Sequence, residues 1–191
     1  MSENSFTAVL TGSLRRAGLQ GPTVIVALGW GGLRLTGEGG GQLVLPRAAI
    51  AQLRFERVEG KGYSVYAGWL LREGETRPLK LLPVRGAEDA YGLAMRALAA
   101  ELAHDGRGER VWVGASKASA LVPPGVPIVL AVPAAVLLAS ERVAWWEWTL
   151  VAVGLAAMFA FLAWYAAVRL WPRPLTEEAQ LNRYLPPLRS R

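Results

Sequence analysis

The sequence predicts an α+β protein: an antiparallel β-barrel or sandwich closed by one C-terminal helix, followed by a two-helix transmembrane hairpin. Three observations predict it. Residues 5–84 alternate short apolar strand patterns with Gly- and Pro-bearing turns. Residues 87–104 change to a helical period. Two uncharged apolar runs, Leu121–Ala139 and Trp148–Val168, then follow with only eight residues between them.

Phe6–Leu10 reads as the first strand and Arg15–Pro22 as a loop. Thr23–Leu28 is a β-branched apolar run, broken by Gly29–Gly32. Leu33–Thr36 alternates, and Gly37-Glu38-Gly39-Gly40-Gly41 offers the positive φ angles of a turn before Gln42–Leu45. Pro46 stops that strand. Ile50–Val58 places Leu53 and Phe55 on one face and Arg54 and Glu56 on the other, the period-2 mark of a half-buried strand. Glu59-Gly60-Lys61-Gly62 turns into Tyr63–Leu71. Arg72–Arg77 turns again, and Pro78 and Pro83 give Leu79–Val84 the character of an edge strand.

Ala87–His104 sets Tyr91, Met95, Leu98 and Leu102 on one helical stripe. Glu88 and Asp89 suit the positive end of the helix dipole, and Gly106 is a stop. Residues 105–120 form a connector in which Val111-Trp112-Val113 either pairs as a short strand or sits at a bilayer surface. The predicted organisation is a head over 1–104, the connector 105–120, the hairpin 121–171 with helices at about 121–140 and 147–170, and a tail over 172–191.

At about 1.5 Å per residue, Trp148–Val168 is long enough to cross a hydrocarbon core of roughly 30 Å, and Leu121–Ala139 is just long enough. Pro123, Pro124 and Pro127 fit the start of the first segment, whereas Pro133 is expected to kink it. Trp145, Trp146, Trp148 and Trp171 are expected as interface anchors at headgroup level. Ala152, Ala156, Ala160, Ala163 and Ala167 form a small-residue stripe that lets helices approach closely, as a homo-oligomer would need. The competing explanation is that alanine is simply common here. The tail, with a turn of helix expected at Thr176–Leu181, is expected to lie along the membrane surface or to be loosely ordered.

The formal charge of +6 is unevenly spread. Residues 1–120 carry 15 Lys and Arg against 11 Asp and Glu; Glu141, Arg142 and Glu147 make the hairpin tip net acidic. Five arginines against Glu177 and Glu178 make the end basic. The positive-inside rule then places both termini in the cytoplasm, with the anchor in a bacterial inner membrane. Met1–Arg16 lacks the apolar core of a cleavable signal, so insertion is expected to depend on the late runs. The basic residues are scattered without an aromatic-basic motif, which argues against a nucleic-acid partner.

The order of Trp30–Leu45, Pro46–Val58, Tyr63–Leu71, Leu79–Val84 and the helix from Ala87 resembles bacterial pleckstrin-homology-like (PH-like) domains joined to transmembrane helices. The resemblance covers roughly residues 5–104. It implies that the helix plugs one open end of a bent sheet through Tyr91, Met95, Leu98 and Leu102. It also implies a docking module. Some relatives bind phosphoinositides through basic residues between the first two strands, where this chain carries Arg15 and Arg16. Near a membrane each arginine would contribute about 1 kcal/mol with anionic lipid; the alternative is a solvated charge pair.

Signs of catalysis are sparse. With no cysteine there is no thiol chemistry or Cys-based metal site, and a lone His104 at a helix end reads as a dipole-compensating residue. Gly60-Lys61 lacks the following Ser or Thr of a phosphate loop, and no Gly-x-Ser-x-Gly elbow occurs. Neither apolar run contains a charged residue, which argues against transport by this chain alone. The expectation is a non-catalytic membrane protein, without cofactor or metal, whose head docks a protein partner or organises a membrane complex. The alternatives are a lipid-responsive module binding anionic headgroups, or an accessory subunit of a membrane enzyme or transporter.

Overall fold

The computed structural model describes residues 4–29, 31–60, 63–140 and 144–187. Trp30, the expected Lys61-Gly62 turn, the tip residues Glu141 and Arg142, and the chain ends at 1–3 and 188–191 lie outside these. The chain divides into two compact units, one made of Met1–Gly114 with Arg173–Arg191 and the other of Ala115–Pro172.

In the first unit, β1 (Asn4–Val9), β2 (Thr23–Gly29), β3 (Gly32–Gly37) and β4 (Gln42–Pro46) form a four-stranded antiparallel meander. Inward positions alternate along it, with Val24, Val26, Leu33 and Leu35 buried and Ile25 and Arg34 outside. The stretch between β1 and β2, expected as a loop, contains a short helix, α1 (Gly12–Arg16), because Leu14 turns inward and becomes fully buried. A 3-10 turn at Arg47–Ala49 leads from β4 into β5 (Ile50–Gly60), which pairs with β6 (Tyr63–Arg72), and β6 with β7 (Leu79–Leu81). β7 lies at the sheet edge, as its flanking prolines require.

The helix α2 (Glu88–Leu102) starts with both acidic residues in its first turn, where Glu88 Oε2 accepts from Gly86 N at 2.7 Å. Gly106, at φ 71°, ends the turn that follows. Tyr91, Met95, Leu98 and Leu102 are all buried, in one core with Val26 and Leu35 of the first sheet and Leu53, Phe55 and Leu70 of the second. The ring of Phe6 meets that of Tyr91 edge to face at 5.2 Å.

β8 (Val111–Val113) lies parallel to β5, and β9 (Arg173–Pro174) pairs antiparallel with β8. The second sheet thus has the order β7-β6-β5-β8-β9. Val9 N donates to Leu82 O and Val84 N to Thr7 O, which joins the two sheets along one side. They do not close into a barrel, contrary to that expectation. The physical reason is local: β8 takes the second edge of β5, and β4 hydrogen-bonds only to β3 among the named strands. A closed barrel would need those edges paired with one another.

The segment expected to be a loose tail belongs to this unit. After β9 it forms a 3-10 turn and α5 (Leu181–Tyr184), and it buries Leu181 and Leu185 in the core. The second unit holds two consecutive helices packed against one another, α3 (Lys117–Ser140) and α4 (Trp145–Tyr165). α3 continues past Pro133.

Candidate functional site

The feature with the plainest functional meaning is α4. With the turn that continues it, Trp145–Val168 forms 24 residues of apolar helix, long and apolar enough to cross a membrane and almost wholly exposed. At 1.5 Å per residue this is about 36 Å. Among the described residues it is the one helix that is long and apolar enough; the apolar part of α3 runs over Ser119–Pro133. Trp145, Trp146 and Trp148 stand exposed at the start of α4, and Trp171 stands exposed beyond its end, with Trp164 and Tyr165 near it. Glu147 closes the start, its carboxylate accepting from Ala144 N at 3.1 Å.

The alanine stripe does not carry the packing of the two helices. Ala152, Ala156, Ala160 and Ala167 are exposed, and Ala163 is half-buried. The less exposed line of α4 is Val151, Leu155, Met158 and Leu162, ending at buried Ala166. This spacing of four, three, four and four is a helical stripe of mostly bulky residues, the face that α3 can cover. The alanines lie beside it, with Ala163 alone partly covered.

The attachment of the helical unit is equally specific. The chain leaves the first unit after β8 and returns to it at β9, and these strands are hydrogen-bonded neighbours. Gly114 N donates to Phe55 O and Leu175 N to Val111 O, which fixes both ends of that pairing. Inside the helical unit, Ala115 N donates to Leu170 O at 2.9 Å. The two ends of a segment of nearly sixty residues are therefore held side by side.

The returning segment is locked by Arg96 of α2. Its Nη2 donates to Pro186 O at 2.8 Å and to Asn182 Oδ1 at 3.3 Å, while Arg57 Nη1 reaches Arg183 O at 3.4 Å. Arg96 is 9% exposed, and the two oxygens on Nη2 are acceptors that a buried guanidinium needs. Gly92 leaves room for this arrangement: a Cβ there would stand 3.0 Å from Arg96 Nη1 and 3.3 Å from Pro186 Cδ.

No protein-family model matches this chain, and neither does any curated protein or solved structure. The site must be read from its own residues.

Arg15 and Arg16 are exposed in the last turn of α1, and Arg16 Nε is turned back to Gly12 O at 3.0 Å. His104 is exposed and lies 3.8 Å from Asp105, whose carboxylate also faces Arg47 at 3.7 Å. Among the described residues no group of three or more metal-ligating side chains gathers. Tyr91 is fully buried, its hydroxyl has no hydrogen-bond partner among the described residues, and burial pushes its pKa far up. Burial pulls the Arg54 guanidinium below its ordinary range, partly opposed by the carboxylate of Glu56.

Sequence reasoning missed the returning segment and the arginine that holds it. The available signal was Leu181 and Leu185, four residues apart after a proline-bearing stretch, the spacing of one short amphipathic turn. It also missed that Arg54 and Trp69, on successive strands, share one row.

Proposed function

We propose that this chain is a non-catalytic integral membrane protein in which α3 and α4 form a transmembrane hairpin. Its α+β head, of PH-like character, docks a protein partner at the bilayer or organises a membrane complex. The observation that carries the hairpin is the β8–β9 ladder. A single crossing by α4 would leave its ends on opposite sides of the bilayer, yet the chain enters and leaves the helical unit at adjacent strands. A hairpin with α3 as its second crossing would return the chain to the side it left. The α3 run of 24 helical residues with no acidic residue in its first turn and no basic residue in its last suits that role. The exposed tryptophans at both ends of α4 support the same reading.

The charge pattern supports a cytoplasmic head with both termini on the inner side. Because the chain has no cysteine, single-cysteine variants test this cleanly. In sealed spheroplasts, a membrane-impermeant maleimide is expected to label Ala144→Cys from outside and to spare Leu93→Cys and Thr176→Cys. Labelling of Ala144→Cys only after lysis, together with the head sites, overturns the hairpin. For the docking role, extraction in mild detergent is expected to return a stoichiometric partner or a second copy. A protein that elutes alone as a monomer overturns it.

A further inference from the structure

One face of the second sheet carries a row that crosses four strands in register. Trp112 of β8 pairs with Arg54 of β5, Arg54 with Trp69 of β6, and Trp69 with Lys80 of β7. With strands about 4.8 Å apart, the row is about 14 Å long. Both cations lie over the same indole: Arg54 Cζ is 5.3 Å and Lys80 Nζ 4.9 Å from the ring centroid of Trp69. Trp69 Nε1 donates to Glu56 Oε2 at 2.8 Å, which ties that carboxylate to the ring edge. Arg47, Arg57, Arg72 and Arg110 each have a carboxylate within 4.0 Å, whereas Arg54 and Lys80 have none among the described residues. Further along the same face, Val58 pairs with Val65, and these two and Tyr63 are exposed.

We infer that this face binds the phosphate-bearing headgroups of anionic phospholipids. The chemistry fits a bilayer interface better than plain water. Arg54 and Lys80 supply cations with no carboxylate within 4.0 Å, Glu56 acting on Arg54 from beyond that distance; Trp69 and Trp112 supply amphipathic rings, and Val58, Val65 and Tyr63 supply apolar surface beside them. Such a mixture matches the layered polarity of headgroup and glycerol region. Trp112 is three residues from Ala115, where the helical unit begins, so lipid is near at hand in the chain. The inference rests on the membrane reading above, and it moves the lipid contact from Arg15 and Arg16 to a different face.

The test uses the full chain with Val65→Cys carrying a spin label, in nanodiscs of phosphatidylcholine alone or with added phosphatidylglycerol. Anionic lipid is expected to reduce collisions of the label with a water-soluble nickel chelate, by roughly fivefold per participating cation in the docked-to-free ratio. Combined Arg54→Gln and Lys80→Gln should abolish the reduction, and combined Arg54→Glu and Lys80→Glu should do so more completely. A label at Val44→Cys, on the exposed face of the other sheet, should stay aqueous in both lipids. An incorporated protein whose Val65 label is equally accessible in both discs overturns the inference alone. A label shielded to the same degree in detergent and in both discs identifies a protein contact and also overturns it. A chain that does not enter discs overturns the membrane reading and this inference with it.

Discussion

The phenolic oxygen of Tyr91 lies against the Cα of Gly68, close enough that a Cβ at 68 would stand 3.1 Å from it. A hydroxyl without a partner sits in the middle of the core, and the sheet accommodates it by omitting a side chain on β6. Removing the hydroxyl removes a desolvation penalty of about 1–3 kcal/mol and leaves only a small void. Tyr91→Phe is therefore expected to leave stability unchanged or to raise it by up to about 1 kcal/mol. Gly68→Ala should lower it by about 1–2 kcal/mol through overpacking, and the double variant should recover most of that loss. Denaturant unfolding of the four proteins in detergent measures the coupling; strict additivity would show that the two groups do not press on each other.

The same buried phenol sets an alkaline limit. Its folded pKa is raised well above the ordinary value of 10.0 because burial disfavours the phenolate. The sign follows from linkage: Tyr91 stays protonated in the folded head, while the unfolded chain releases the proton above about pH 10. Its contribution is whole below that pH and is lost as pH rises toward the folded value, at up to about 1.4 kcal/mol per pH unit. Tyr91→Phe should flatten this part of the stability profile. An identical decline in both proteins between about pH 10 and 11 would assign it to other groups.

Two glycines with positive φ should respond very differently to a methyl group. At Gly32, φ is 137° and a Cβ would collide with Leu45 O across the β3–β4 ladder. At Gly74, φ is 77° and nothing lies within 4 Å of the position. Gly32→Ala is expected to destabilise the head by about 3 kcal/mol or more, since the clash is with backbone that a ladder holds in place. Gly74→Ala should cost about 1 kcal/mol of local strain, and Gly74→Asn less. Thermal midpoints of the three variants test this ordering.

These residues also mark what could be read from the sequence. Thr23–Leu28 was legible because it is a short β-branched apolar run ended by glycine, and Ile50–Val58 because burial of one face writes a period of two into neighbouring residues. The stripe of Tyr91, Met95, Leu98 and Leu102 was legible for the same reason at a helical period. Nothing local marks Val111–Val113 as a parallel partner of β5, because that pairing joins residues nearly sixty apart. Barrel closure turned on this pairing, so it was misjudged along with it. The Trp112–Arg54–Trp69–Lys80 row was hidden in the same way: each residue looks outward on its own strand, and only the register lines them up. The tryptophans flanking α4 needed no register, since an apolar run announces its own ends.

The last expectation concerns the returning segment, which completes the head across a long detour of chain. Leu181 and Leu185 are buried at 2% and 0% exposure, so truncating either to Ala should destabilise the head by about 2–5 kcal/mol. Arg96→Ala would leave Pro186 O without its charged donor and should cost about 1.5–3 kcal/mol. Gly92→Ala acts on the same contact from the other side, by crowding Arg96 Nη1 and Pro186 Cδ. All four variants should first show themselves locally, as faster trypsin cleavage after Arg183, because β9 and its bond to Val111 still tether the segment upstream. Equal cleavage rates in wild type and Arg96→Ala, with unchanged unfolding, would show that the guanidinium does not hold the segment and that the two leucines alone retain it.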